Sequence, residues 1–495
     1  RGNGSVTGQT IVGGQSAGTI APGNSPGIMT FGDLKFTSNS VAAMQIDGPG
    51  AAGVAGGHDL IHVTGTLTLD GSSVLALQKS LPASNYQIPL GTAVQIFDYA
   101  PGHVVGHFGS VTKTGHTPNL IFNLSDGTVV SLGNNTLANL ASATANANLA
   151  AALGAMVVST NGDVPQYYGG SLLAPLLSSY GAGGAQAMNA TFNRWAPGGY
   201  ANMASQMQTV TLQSLPEFGG YKHLAAGQII ATGDIHSEQI ETQSTNATPA
   251  SRLRNTSYNV GFSGDLRFAR VNLTYGHNTG NFGNDYIRGD IKGDIFAAGL
   301  SVPLSRDQAL RLTGRLVYGR YDTDSTRQTL AGTAKANGVK GDSWAYGGGL
   351  EYHKETGRLI YNGELEYLAL HRVTDGFTET GTNNPLNLFA IDRSAMNSGT
   401  GLATAKLGYA LSSNLIAYTS VRYEHDFGST GPQVVAHNLA DPVTVTLNDP
   451  GLAKDRVNGD VGLRVNLASG LQFNVYGSMG TRSSHRFGGG VRMTF

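Results

Sequence analysis

The sequence predicts an all-β chain in three parts. These are short stacked β-segments over 1–133, an α-helical linker over 134–221, and a 12-stranded antiparallel transmembrane β-barrel over 222–495. Three observations predict it. First, the last ten residues, Arg486-Phe-Gly-Gly-Gly-Val-Arg-Met-Thr-Phe495, place Phe487, Gly489, Val491, Met493 and Phe495 on one parity and Arg486, Arg492 and Thr494 on the other. That is a period-2 strand with one apolar and one polar face. A bare terminal aromatic on such a strand suits a barrel whose last strand closes against its first. Second, charge is uneven: about a dozen Asp, Glu, Lys and Arg precede residue 216 and about fifty follow. Third, the period is 2 from residue 222 onward but helical just before it.

Composition narrows the classes. A chain of 495 residues suggests about two to four domains. A net charge of −1 gives no basic footprint for nucleic acid. No run of about 18 apolar residues offers a transmembrane helix. Arg1-Gly-Asn-Gly-Ser5 carries no secretory signal, so the chain reads as the later part of a longer precursor. The absence of cysteine suits a chain threaded through a narrow pore, where a periplasmic disulfide would jam it. No cofactor and no metal site is expected.

The opening carries Ser5-Val-Thr-Gly, Gln9-Thr-Ile-Val-Gly-Gly and Ile28-Met-Thr-Phe-Gly, with Gly, Asn and Pro at the corners. Longer segments follow at Asp59–Leu69, Ser73–Gln78, Ala93–Tyr99 and Asn119–Leu124. Thr, Ser and Asn ladders with few charges favour stacked parallel coils over a water-facing sandwich. Three constellations invite a catalytic or metal reading. Gly23-Asn-Ser-Pro-Gly27 matches Gly-x-Ser-x-Gly, yet the residue after Ser25 is Pro26, which has no N–H for an oxyanion hole. His58 and His62 share a strand face but lie about 13 Å apart, too far for one metal; with Asp59 they read as coil residues. Gly341-Asp-Ser-Trp344 resembles an esterase box but heads a barrel strand. No catalytic residue is assigned.

Texture changes at Asn134. Leu137, Leu140, Leu149, Leu153 and Met156 fall near helical spacing. Ser171–Leu177 and Ala185–Trp195 read as further helical pieces, broken by Gly181-Ala-Gly-Gly184. Pro197 then opens a helix running to about Leu215, with Tyr200, Met203, Met207 and Val210 on one stripe. Its polar side carries Asn202, Gln206, Thr209 and Gln213.

Beyond residue 222, twelve candidate strands centre near residues 235, 260, 272, 298, 315, 348, 364, 406, 419, 462, 475 and 490. Each apolar stretch of about ten residues crosses a membrane when tilted. Connections 323–341, 372–400 and 427–456 read as long polar loops alternating with short turns. The polar parity carries Arg311, Arg315, Glu364, Glu366, Arg422 and Arg464. Charges facing lipid are costly, so these residues should line a wet lumen. Twelve strands about 4.8 Å apart leave a bore of about 10–12 Å, one helix wide.

Two strings resemble a known family. Gly18-Thr-Ile-Ala-Pro-Gly-Asn-Ser-Pro-Gly27 with Asp59-Leu-Ile-His-Val-Thr-Gly65 resembles the passenger end of type Va autotransporters. Trp195-Ala-Pro-Gly-Gly-Tyr-Ala-Asn-Met203 resembles the linker before their barrels, with Ala196 where Ser is usual. The resemblance implies a passenger β-helix end with an autochaperone segment, a pore-plugging helix (Tyr200, Met203, Gln206, Met207, Val210, Gln213) and a translocator that exports and anchors its passenger. It also implies that Phe487, Val491, Met493 and Phe495 form the barrel-assembly signal. The expected partners are outer-membrane lipid, the barrel-assembly machinery and periplasmic chaperones, around a monomeric barrel, with residues 1–133 on the cell surface. The rival readings are a stand-alone porin-like channel, or a carrier of an enzymatic or adhesive passenger. Asn134-Asn135 lies too early for a cut inside the barrel, and Asn189 and Asn193 lack an adjacent Asn, so an intact chain is expected.

Overall fold

The computed structural model describes residues 1–23, 26–79, 88–115, 119–159, 166–170, 172–213, 227–242, 249–266, 268–382, 384–428, 433–448, 452–467, 470–481 and 484–495. Ser25 falls outside them.

The first hundred residues stack as coils. One face holds Gly4–Val6, Ile28–Phe31, Leu60–Val63 and Phe97–Asp98 in parallel. The second holds Thr10–Val12, Leu34–Phe36, Leu67–Leu69 and Val104–Gly106. The third holds Gly18–Ile20, Ser40–Gln45, Val74–Gln78 and Ser110–Thr114. Three parallel faces built in rotation are a β-helix end. Alternate residues point inward, so Phe31, Leu34, Phe36, Ile61, Leu67 and Leu75 are buried. The coil axis is closed by Phe36, Phe97, Phe108 and Phe122, whose contacting rings stand 5.7 to 6.0 Å apart. Asp59 is a coil residue: its carboxylate accepts from the N–H groups of Gly27 and Gln45, each at 2.7 Å. Burial pushes it up to about 6. His62 pairs with Asp98 across the next rung.

A five-stranded sheet follows, containing Asn119–Asn123 and Thr128–Gly133. Helices α1 (Leu137–Ala143) and α2 (Ala147–Ala155) are capped by Thr136 and Asn146. Helix α3 runs from Leu173 to Trp195. The glycines expected to break the helical run do so, as a kink between two helical pieces. Gly183 and Gly184 leave helical geometry, and Gly184 has φ 63°, a conformation that only Gly adopts freely. A 3₁₀ turn over Gly198–Ala201 leads to α4 (Asn202–Gln213). Pro197 therefore precedes a 3₁₀ turn, and α4 begins at Asn202 rather than at Pro197.

Twelve strands close a barrel. They are β1 (Ile229–Glu241), β2 (Arg252–Asp265), β3 (Arg270–Gly283), β4 (Ile287–Pro303), β5 (Leu310–Thr329) and β6 (Gly332–Thr356). Then come β7 (Leu359–Thr374), β8 (Ser394–Ala410), β9 (Leu415–Asp426), β10 (Asp455–Asn466), β11 (Leu471–Gly480) and β12 (His485–Thr494). β12 pairs antiparallel with β1, Ile230 opposite Thr494, so no edge is left exposed. Ile229 and Phe495 mark the lower end. Val260, Phe262, Phe296, Leu365 and Val461 face outward and are exposed. At the upper rim of this belt Tyr275, Tyr318 and Tyr423 donate to Asp294, Asp342 and Asp455 at 2.7, 2.8 and 2.5 Å.

The loop expectation needs correction. Residues 323–341 are mostly strand: β5 and β6 pair up to Thr329 opposite Gly332. Above the lipid both strand faces tolerate polar residues, so the hydropathy signal fades while the ladder continues. The connections 372–400 and 427–456 hold a second, four-stranded antiparallel sheet: Phe377–Thr378, Phe389–Ile391, Gln433–Asn438 and Thr444–Asn448.

Candidate functional site: the barrel lumen and its helix

Helix α4 sits inside the barrel. Met207, Val210 and Leu212 share one buried cluster with Ile291, Ile295, Val317, Tyr321, Leu368, Leu370 and Leu402 of β4, β5, β7 and β8. The polar parity was expected to line a wet lumen; around Met207 and Val210 the wall is apolar, with Arg372, Asp426 and Arg456 beside it. On β4 the outward parity there carries Arg288, Asp290 and Lys292, and the inward parity carries Ile291 and Ile295. Gly341 lets the helix approach, since a Cβ there would lie 2.2 Å from the Met207 methyl.

Two polar contacts orient the helix. Gln208 donates to both carboxylate oxygens of Asp426 at 3.1 Å and accepts from the Arg372 guanidinium. Arg456 donates to the same Asp426 at 2.6 Å. On another face the Thr211 hydroxyl lies 2.8 Å from Tyr321 Oη and 2.5 Å from Ser343 Oγ. Gln206 and Thr209 are buried, but Gln208 and Thr211 make these contacts, and sequence reasoning missed both. The barrel encircles α4, so every face is buried. Which polar residues meet charge then depends on where Arg372 and Asp426 project. The side chain of Gln213 lies outside the described residues. Ser343, from the esterase-like box, holds the helix, and Trp344 stacks on Tyr318 outside, 4.4 Å between centroids.

The charged wall lies lower. Arg315 bridges Glu364 and Glu366, the latter at 2.9 Å. Arg422 pairs with Glu424 at 2.8 Å, and Arg311 donates to Ser301 at 2.7 Å. Arg464 lines the lower lumen with Arg492 and Lys406.

Above α4 the barrel is closed by a buried ion pair. Arg327 of β5 and Glu379 are 1% and 0% exposed and meet at 2.7 Å. Arg327 also donates to the Trp195 carbonyl at 2.5 Å and the Asn387 carbonyl at 2.9 Å. Glu379 accepts from Tyr200 Oη at 2.8 Å and from Phe389 N–H at 3.0 Å. The pair thus ties the end of α3, the 3₁₀ turn and the surface sheet to one barrel strand. Tyr200 and Met203 belong to this upper core rather than to the bore around Met207. Phe487, Val491, Met493 and Phe495 sit on the outward face of β12, all exposed.

Residues 235–478 match the family model of the autotransporter beta-domain. No curated protein matches the chain. Among solved structures, the translocator domain of NalP from Neisseria meningitidis is 18% identical, with 61% of this chain and 99% of that chain covered at TM-score 0.47. The beta domain of the Bordetella autotransporter BrkA is 18% identical, covering 55% and 100% at TM-score 0.37. The transport unit of AIDA-I from Escherichia coli is 12% identical, covering 59% and 97% at TM-score 0.39. A family match that begins inside β1, ends inside β11 and so takes in nearly the whole closed barrel identifies that part of the chain: the barrel is an autotransporter beta-domain, an outer-membrane translocator for a passenger.

Proposed function

We propose that the barrel exports the β-helix part of its own chain to the cell surface, and that α4 remains behind as the plug. The observation that carries this is the seating of α4: Met207, Val210 and Leu212 against apolar wall, with Gln208 and Thr211 bonded to Asp426, Arg372, Tyr321 and Ser343. A helix free to leave would not need partners on two faces. The division at 133 and 221, the plug residues and the lumen lining belong to this reading. So do a barrel-assembly machinery that reads Phe487, Val491, Met493 and Phe495, and delivery by periplasmic chaperones. The translocator barrel is not an enzyme, and we assign no catalysis to residues 1–133 either.

Planar-bilayer recordings test the plug. The full chain should show small, flickering conductance, and a version beginning near Tyr221 a larger, steadier one. Equal conductance from both would place the helix outside the permeation path and favour a soluble linker.

A further inference from the structure

Below α4 the lumen holds a cavity of about 220 Å³ whose lining runs from β1 round to β12. Its charges are unbalanced. Arg315, Lys406, Arg422, Arg464, Arg486 and Arg492 line it, against Asp234, Glu364 and Asp460. They are also layered. Lys406, Arg464 and Arg492 lie within about four residues of the lower ends of β8, β10 and β12. Asp234, Glu364 and Asp460 lie about five or six residues in from the lower ends of β1, β7 and β10. The carboxylates are held where they stand. Glu364 receives Arg315. Asp460 accepts from Ser420 at 2.6 Å, and Asp234 from Asn259 at 2.9 Å. The lower mouth therefore presents cations first.

We propose that this lower lumen is a cationic vestibule that admits and holds small anions, inorganic anions and carboxylates alike, in preference to cations. A narrow, low-dielectric channel lined by one sign of charge concentrates its counter-ion well above the bulk level. Glu366 and Glu424 stand behind this lining against Arg315 and Arg422, so the imbalance rests on the outer layer, where Lys406, Arg464 and Arg492 line the cavity with no carboxylate among the described lining residues at their level. It holds independently of whether α4 blocks the bore above.

The chain has no cysteine, so a single introduced thiol reports local ion access. Asn474 of β11 lines the cavity, lies opposite Arg464, and is two residues from Gln472, the partner of Arg492. In the full-length protein Asn474→Cys would be treated with sulfonatoethyl and with trimethylammonioethyl methanethiosulfonate. Each forms a mixed disulfide with the thiolate and releases methanesulfinate. Ser413→Cys, on an exposed lower turn, gives the bulk ratio of the two rates. The anionic reagent should be favoured at residue 474 by about tenfold over that ratio. The preference should shrink in 1 M salt, where screening acts over about 3 Å, and with Arg464→Gln and Arg492→Gln together. Gln472→Cys serves if Asn474→Cys does not fold. A ratio equal to that at residue 413, a cation preference, or no reaction with either reagent would each overturn the proposal.

Discussion

Asp441 shows how one side chain couples the β-helix part to the barrel. It lies in the turn of the surface sheet, 5% exposed, and accepts from the Ser125 hydroxyl. Burial is the largest cause that pushes its carboxyl up to about 7 from an ordinary 3.8, and the charge of Asp126 adds to it. Asp126 itself is pushed up to about 6, again by burial. The folded protein thus keeps the Asp441 proton between about pH 4 and 7, where the unfolded chain has lost it. Stability from this site is greatest below pH 4 and falls as pH rises through 7. Asp441→Asn keeps an acceptor for Ser125 and cannot ionise. It should stabilise the surface portion at pH 8 by at most about 4 kcal/mol, seen as a higher thermal midpoint, and should not raise that midpoint at pH 4. A variant no more stable than the parent at pH 8 would refute the assignment.

At the scale of elements, β12 carries the sharpest expectation. Its outward Phe487, Val491, Met493 and Phe495 meet lipid, and its backbone closes the barrel on β1. Phe495 also exchanges backbone bonds with Ile229, its N–H donating at 2.9 Å. Deleting Phe495, or Phe495→Asp, should lower insertion into the outer membrane several-fold while residues 1–133 still fold. Gel mobility with and without heating measures the inserted barrel; an unchanged heat-shifted band from the truncated chain would sink the idea. Helix α4 shows the limit of periodicity at this scale. Its polar and apolar residues were visible in the sequence, but an encircled helix has no solvent face to align them.

Across the whole molecule, one apolar core crosses every boundary drawn by composition. It joins Ile121 and Val130 of the five-stranded sheet, Leu176 and Trp195 of α3, and Ile287 and Val339 of the barrel. Phe389, Val434 and Val445 of the surface sheet complete it. Trp195 sits at the crossing, 4.8 Å from the Phe389 ring and 6.2 Å from Phe192. Its indole N–H donates to the Leu386 carbonyl at 3.3 Å. Trp195→Ala should cost about 3–5 kcal/mol and should loosen α3 and the surface sheet together. Protease added outside cells would then cut both at similar rates, with the barrel intact. Cleavage confined to one of them would show that they fold as separate units.

Whatever depends on local periodicity was legible along the chain. Alternation fixed the twelve strands and their outward faces, because lipid rejects charge at every outward position in the belt. Turn glycines and Thr or Asn ladders marked the stacked coils, and the Phe495 strand marked the closure. The tertiary structure alone decided the rest. It extended β5 and β6 into 323–341, where no lipid imposes a pattern. It paired four short strands from two distant connections into one sheet, a contact between residues about 50 apart that no local signal encodes. It brought Arg327 to Glu379, and Gln208 to Asp426, because a buried charge or amide takes whichever partner the fold puts within reach.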